Sequence, residues 1–127
     1  MTIKDIEQKF GIRVRYFDGN LIPDEPGFFN KELGVAFISN QLNEKDKIKV
    51  LLHEVGHMEH TSYQYELFRT KCELQADKNM IFHLVEETLK TLDDVTEFNY
   101  LNFMKYYNLS TITDEVVVRE AYHSLVG

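Results

Sequence analysis

The sequence has 127 residues, with 43% hydrophobic and 28% charged residues, which are ordinary values for one globular domain and argue against disorder. A formal net charge of −7 argues against nonspecific binding to nucleic acid or anionic membranes as the main activity, and a single cysteine excludes an internal disulfide. Because no apolar run reaches the length of a signal peptide or membrane span, we expect a cytoplasmic protein.

The first third of the chain predicts one helix followed by short strands. A helix is expected over residues 2–10, where apolar residues share a face and a glycine follows. Alternating residues predict a strand over 12–17, and after a proline-containing loop two more strands are expected, over 28–30 and 34–38. We therefore predict a small antiparallel sheet ahead of the next helix.

That next helix, over about residues 44–60, contains an H-E-x-x-H motif. The spacing places His53 and His57 on one face, where their imidazoles can bind one zinc ion. Glu54 flanks this position, where a carboxylate can act as a general base rather than as a ligand. Two histidines and a glutamate on an amphipathic helix could also match by chance, but the helical context makes the motif specific.

Two residues of this predicted helix carry local signals, one for its start and one for its packing. Asn43 is a plausible N-cap, because its side chain can accept a hydrogen bond from the first turn. Gly56 lies inside the predicted helix, where glycine costs roughly 1 kcal/mol relative to alanine. We interpret this glycine as a sign that another backbone approaches closely.

A longer helix is predicted over about residues 71–92, and two carboxylates interrupt its inward face. Glu73 and Asp77 share that face with Met80 and Leu84. Buried carboxylates are costly unless they are paired or bind a metal. We predict Glu73 as the third zinc ligand and Asp77 as the acceptor of the second ring N–H of a ligating histidine. Two alternatives remain open, namely Asp77 as the ligand and an exposed helix flank.

Other residues near the motif receive weaker predictions. The secondary structure of residues 61–70 is ambiguous. Cys72 is expected to be a small apolar side chain in the core, and His60 is expected at the rim of the site rather than as a ligand. The sequence does not rank the candidates for stabilising an oxyanion, which are His60, Tyr63, His83 and His123.

Two helices are predicted near the C-terminus, over about residues 95–108 and 114–126, capped by Asp93–Asp94 and Thr113. The first has large apolar or aromatic groups on nearly all sides, for which core packing is the default and a partner surface the alternative. We expect one α+β domain over residues 1–127, mostly helical, in which the last two helices (about 94–126) form a possible substrate-docking part.

Over about residues 11–84 the sequence resembles the ImmA/IrrE family of zinc metallopeptidases. The matching segments are residues 11–14, 34–38, 52–57 and 73–77. The last segment corresponds to the family's E-x-x-A-[N/D] pattern and puts Glu73 at its third-ligand position. The chain departs from the family after Asp77, where residues 78–80 and 85–87 replace its usual F-A and L-L-M-P continuations.

The resemblance implies a zincin-like fold and a Zn²⁺-dependent endopeptidase acting on a protein substrate. Members carried by phages and mobile elements act on a helix-turn-helix transcriptional repressor, so cleavage would cause derepression without direct nucleic-acid or membrane binding. The residues by themselves indicate zinc-dependent hydrolysis only. The alternative is a non-catalytic anti-repressor module that inactivates the repressor by association. A purely structural zinc site fits less well, because such sites prefer four cysteine or histidine ligands.

Overall fold

The computed structural model describes all 127 residues, in two compact units, Met1–Asn79 and Met80–Gly127. The elements are α1 (Ile3–Phe10), β1 (Arg13–Phe17), β2 (Gly27–Asn30), β3 (Val35–Ser39), α2 (Glu44–Val55), α3 (Ser62–Leu67), α4 (Arg69–Lys90), α5 (Tyr100–Tyr106) and α6 (Ile112–Val126). The predicted α+β class, mostly helical with a small sheet before the motif helix, is confirmed. None of the helices combines the length and apolar character that crossing a membrane requires.

The sheet of the first unit has the strand order β1-β3-β2 and is mixed. The prediction of an antiparallel sheet is right for β2 and β3, in which Phe28 pairs with Phe37, and wrong for β1. Strand β1 runs parallel to β3, with Arg15 opposite Phe37. The reason is the proline-containing loop after β1, which is long enough to reach the far edge of the sheet, so that β3 returns through the middle.

Helix α2 lies directly against this sheet. Its side chains Leu51 and Leu52 are fully buried, as are Ala36 and Ile38 of β3. A Cβ atom on Gly27 of β2 would lie only 2.8 Å from the side chain of Val50, so the strand and the helix are in close contact. Burial of these apolar groups fixes the orientation of α2 and leaves His53 on the face away from the sheet.

Helix α2 begins where predicted and ends earlier. The Asn43 side chain accepts a hydrogen bond from the Asp46 N–H at 2.8 Å, which confirms the N-cap. The helix ends at Val55 rather than near residue 60. The backbone then continues with i to i+3 hydrogen bonds, from the His57 N–H to the Glu54 carbonyl at 3.0 Å and onwards, which tighten the last turn. His57 therefore lies in a tight turn and not inside the helix.

The ambiguous stretch over residues 61–70 contains α3, which the sequence analysis did not predict. Thr61 and Gln64 form a capping box at its start. The helix has no buried residue, so it lacks the apolar periodicity that would have indicated it. Helix α4 follows close to the predicted boundaries, with Ala76, Met80 and Cys72 buried as expected.

In the second unit, the two predicted C-terminal helices form with different starts. A short 3-10 turn, Val95–Glu97, is capped by Asp94, and α5 begins only at Tyr100 with Asn99 as its N-cap. The polar Asn99 side chain accepts a hydrogen bond from Asn102 N–H and so interrupts the helix expected over 95–108. Helix α6 begins at Ile112, capped by Thr111 rather than Thr113, because the Thr111 hydroxyl accepts a hydrogen bond from the Asp114 N–H.

Some large apolar and aromatic side chains of α5 lie in the core and others lie on the surface. Phe103 is 5% exposed and contributes to the core with Val117 and Val118 of α6. By contrast, Leu101 and Tyr106 are 60% and 59% exposed. The core prediction therefore holds for one face of α5 only.

Candidate metal centre

His53, His57 and Glu73 converge on one position between α2 and α4. Their ligand atoms all lie within 4.8 Å of one another, so the three side chains could hold one metal ion. Nε2 of His53 is 3.0 Å from one carboxylate oxygen of Glu73, and Nε2 of His57 is 3.3 Å from the other. The two Nε2 atoms are 3.3 Å apart. The structure thus brings the two histidines of the motif together with Glu73, as expected from the sequence.

The close contact of α2 with α4 makes this convergence possible. A Cβ atom on Gly56 would lie 2.7 Å from the Cα atom of Ala76, which confirms the predicted approach of another backbone at this glycine. The Asn79 side chain also donates a hydrogen bond to the Leu52 carbonyl at 2.9 Å. These contacts hold the histidines of one helix opposite the carboxylates of the other.

Asp77 contacts the other nitrogen of His53. Nδ1 of His53 is 2.8 Å from Asp77 Oδ1, on the side of the ring away from Glu73. Burial alone would lower the pKa of His53, but the hydrogen bond and charge of Asp77, with the charges of Glu54 and Glu73, outweigh burial and raise it. Asp77 is therefore placed to orient this imidazole, with Nε2 facing Glu73.

His57 has a different environment on its Nδ1 side, with no carboxylate in contact. Its Nδ1 is 3.0 Å from Nδ1 of His60, whose Nε2 is 2.7 Å from the side-chain oxygen of Gln75. Burial, together with the charges of His53 and His60, lowers the pKa of His57 in spite of Glu73. A neutral imidazole is the form that binds metals.

Glu54 is partly buried beside this cluster. Burial, opposed by the charge of His53 and assisted by those of Glu73 and Glu25, raises the pKa of Glu54 to about 7. A carboxyl group that titrates near neutrality can both accept and return a proton. This property agrees with a general base but not with a surface glutamate.

Tyr65 of α3 also contacts the cluster, and the sequence analysis did not identify it. Its hydroxyl donates a hydrogen bond to Glu73 Oε1 at 2.7 Å, and its ring meets His57 edge-on at 5.6 Å between centroids. Burial would raise the pKa of Glu73, but the Tyr65 hydrogen bond and the charges of His53 and His57 lower it. The Thr61 capping box was the available signal for the helix that positions this tyrosine.

The other residues considered for oxyanion stabilisation lie elsewhere or have other contacts. Tyr63 is 72% exposed, and His60 is bonded to His57 and Gln75. His83 and His123 belong to the second unit. None of these four side chains is among the three that could hold the metal ion.

The donor set fits a divalent metal ion. Two imidazole nitrogens and one carboxylate oxygen are the protein ligands of one type of catalytic zinc site, which keeps a fourth position open. A carboxylate bonded to the outer nitrogen of a ligating histidine is a regular companion of such sites, and Asp77 occupies that place. The fold and the site together define a metallopeptidase-type arrangement, in which an H-E-x-x-H segment at the end of α2 and in the following turn faces a glutamate of α4.

Comparison with known families agrees with this arrangement. The family model for the IrrE N-terminal-like domain, Peptidase_M78, matches residues 7–116. The match covers most of the chain, so the protein belongs to this peptidase family, and the resemblance to ImmA/IrrE peptidases is confirmed. No curated protein and no solved structure gives a significant match.

Proposed function

We propose that the protein is a zinc-dependent endopeptidase that acts in the cytoplasm on a helix-turn-helix repressor of a phage or mobile element and thereby causes derepression. The observation that supports it best is the convergence of His53, His57 and Glu73 beside the partly buried Glu54, in a chain of a peptidase family. The choice of a repressor as substrate is supported by the sequence resemblance to ImmA/IrrE anti-repressors.

In this proposal His53, His57 and Glu73 hold the zinc ion. Bound there, zinc would supply Lewis-acid chemistry, polarising the scissile carbonyl and making water more acidic. Glu54 accepts one proton from the attacking water as the new C–O bond forms. It then returns that proton to the amide nitrogen as the C–N bond breaks, so the glutamate is unchanged after one turnover.

Two further residues orient the ligands. Asp77 accepts the Nδ1–H of His53, which leaves Nε2 of that ring without a hydrogen and available to the metal. Tyr65 donates to one oxygen of Glu73 and restricts the rotation of that carboxylate. These contacts reduce the reorganisation that the ligands need when the metal binds.

A second function, inactivation of the repressor by association alone, is favoured by one feature of the second unit. Several large apolar side chains there are exposed, and such side chains are typical of protein-binding surfaces when they lie together. They are Leu101 (60%), Tyr106 (59%), Ile112 (81%) and Val116 (48%). Residues 94–126 would then dock the repressor in either function.

The decisive experiment combines the protein with a candidate helix-turn-helix repressor and compares the wild type with Glu54→Gln and His53→Ala. We expect Glu54→Gln to keep zinc and the complex but to lose cleavage by roughly 10²–10⁴-fold. We expect His53→Ala to lose zinc as well. His123→Ala, which removes an exposed histidine of the second unit, is the matched control. Cleavage retained by Glu54→Gln would overturn the mechanism, and derepression by both inactive variants would favour association.

A further inference from the structure

His57, His60 and Gln75 form a short chain of hydrogen bonds that leads away from the centre. Nδ1 of His57 lies 3.0 Å from Nδ1 of His60, and Nε2 of His60 lies 2.7 Å from Gln75 Oε1. The tight turn after α2 brings His60 back to this place, because its N–H donates to the His57 carbonyl at 2.9 Å. Gln75 comes from the exposed side of α4.

The positions of the hydrogens in this chain follow from its last member. The amide oxygen of Gln75 only accepts, so Nε2 of His60 must bear the hydrogen that lies between them. With its ring hydrogen on Nε2, His60 offers a bare Nδ1 that can only accept, so the hydrogen between the two histidines belongs to His57 Nδ1. His57 is thereby left with a bare Nε2 on the side facing Glu73 and His53.

We propose that His60 and Gln75 are a positioning pair that fixes the tautomer and ring orientation of His57 for metal binding. The inference rests on the proposed metal-dependent function and adds two residues to it. His60 and Gln75 orient the ring of His57 as Asp77 orients the ring of His53. The acceptor of the Nδ1–H is an imidazole nitrogen in the first case and a carboxylate oxygen in the second. The two histidines are thus oriented by independent contacts from different parts of the fold.

The test measures the Zn²⁺ affinity of the full chain by competition with a chelating dye. We expect His60→Ala to weaken binding by roughly tenfold, the lower end of the range for partners of metal-ligating histidines. We expect Gln75→Ala to weaken it less, because His60 remains but is free to rotate. His60→Asn should restore most of the affinity, since its amide oxygen can accept in place of Nδ1. Glu59→Ala, at the exposed neighbouring position, is the matched control.

A second measurement, by NMR, detects the hydrogen on Nδ1 of His57 directly. In the Zn²⁺-loaded wild type, the proton on His57 Nδ1 should give an NMR signal protected from exchange with water. The signal should broaden or vanish in His60→Ala and return in His60→Asn. A loss of structure alone would not be repaired by His60→Asn, and circular dichroism checks that each variant is folded.

The two hypotheses fail in different ways. If the wild type binds no Zn²⁺, the proposed function is wrong, and the positioning role of His60 and Gln75 is wrong as well. If the wild type binds Zn²⁺ but His60→Ala matches Glu59→Ala in affinity and keeps the protected Nδ1 proton, only the positioning role is overturned. A proton on Nε2 of His57, instead of Nδ1, in the loaded wild type would also overturn it.

Discussion

Asp77 and His53 are joined by a hydrogen bond of 2.8 Å between Oδ1 and Nδ1, while Glu73, one helical turn earlier, contacts Nε2 of the same ring at 3.0 Å. Helix α4 therefore presents two carboxylates to opposite edges of one imidazole. Only the Nε2 side faces His57, so the two carboxylates have different roles. In the proposed function, the inner carboxylate would bind the metal ion and the outer one would orient the ring.

The first prediction concerns this outer carboxylate. In the metal-free protein, Asp77→Asn should lower the pKa of His53, because the variant removes the hydrogen bond and negative charge that outweigh burial. The charges of Glu54 and Glu73 remain, so the decrease is partial. An NMR titration of the His53 ring measures it directly. Asp24→Asn, an equal charge change at an exposed site, should leave this pKa unchanged.

The same substitution should change stability in a pH-dependent way. Because the pKa of His53 is raised in the folded protein, its contribution to stability is complete below the unfolded pKa of about 6.5 and disappears as pH rises through the folded value. The metal-free wild type should thus exceed Asp77→Asn in unfolding free energy by more at about pH 5.5 than at about pH 8.5. Urea unfolding at both pH values provides the measurement, and a difference that grew with pH would contradict the assignment.

The second prediction concerns the helix contact behind the site. Gly56 has an ordinary helical conformation, with φ −62° and ψ −17°, so alanine would be acceptable to its own backbone. A Cβ atom there would nevertheless lie 2.7 Å from the Cα of Ala76, where no flexible side chain can yield. We expect Gly56→Ala to lower the unfolding free energy by about 1–3 kcal/mol, as in overpacked cores. Glu59→Ala is the control for a new alanine in the same turn.

Zinc affinity separates this mechanism from a general loss of stability. Because α2 must move away from α4, Gly56→Ala should weaken Zn²⁺ binding even under conditions where the variant is fully folded. A variant that matched the wild type in both stability and zinc affinity would show that the close contact does not determine the geometry of the centre.

The sequence was informative where the signal is local or periodic. The N-cap of α2, the apolar face of α2 and the two carboxylates of α4 all follow from the spacing of neighbouring residues. Gly56 was informative for a similar reason. Glycine costs stability inside a helix, so its presence there indicates a position where a larger side chain does not fit. These signals were sufficient to place His53, His57 and Glu73 in one cluster.

The features that were missed depend on distant contacts or on weak local signals. The parallel pairing of β1 with β3 depends on which edge the intervening strand occupies, and no residue of β1 specifies that. Helix α2 ends at Val55, and the glycine that follows lies against Ala76, which is distant in the sequence. Tyr65 was missed because α3 buries no residue, so the only signal was its capping box.

The third prediction tests the importance of that tyrosine. Tyr65→Phe removes the hydroxyl that donates to Glu73 at 2.7 Å but keeps the ring against His57. We expect Zn²⁺ affinity to fall by roughly tenfold, because the carboxylate loses its orienting partner. In the metal-free protein the pKa of Glu73 should rise, since this hydrogen bond helps to lower it. Dye competition and carboxylate NMR measure the two effects.

Tyr63 provides a matched control on the same helix. It is 72% exposed, so Tyr63→Phe removes the same hydroxyl without changing a contact of the centre. Equal zinc affinities for the two variants would show that the Tyr65 bond is incidental. Without metal, Tyr63→Phe should be as stable as the wild type, because this side chain is exposed, whereas Tyr65→Phe should be slightly less stable, because it loses the hydrogen bond to Glu73.

The fourth prediction is that zinc stabilises the fold through these ligands. A ligand that binds only the folded protein adds roughly 2.7 kcal/mol of stability at a free concentration one hundred times its dissociation constant. Thermal unfolding with buffered Zn²⁺ should therefore show a higher Tm than unfolding with a chelator present. The increase should vanish in His53→Ala and His57→Ala, because each variant removes one of the three ligands that α2, its following turn and α4 bring together. His123→Ala, at an exposed position of α6, should keep the full increase. An increase of equal size in all three variants would mean that zinc binds elsewhere and that the convergence of His53, His57 and Glu73 serves another purpose.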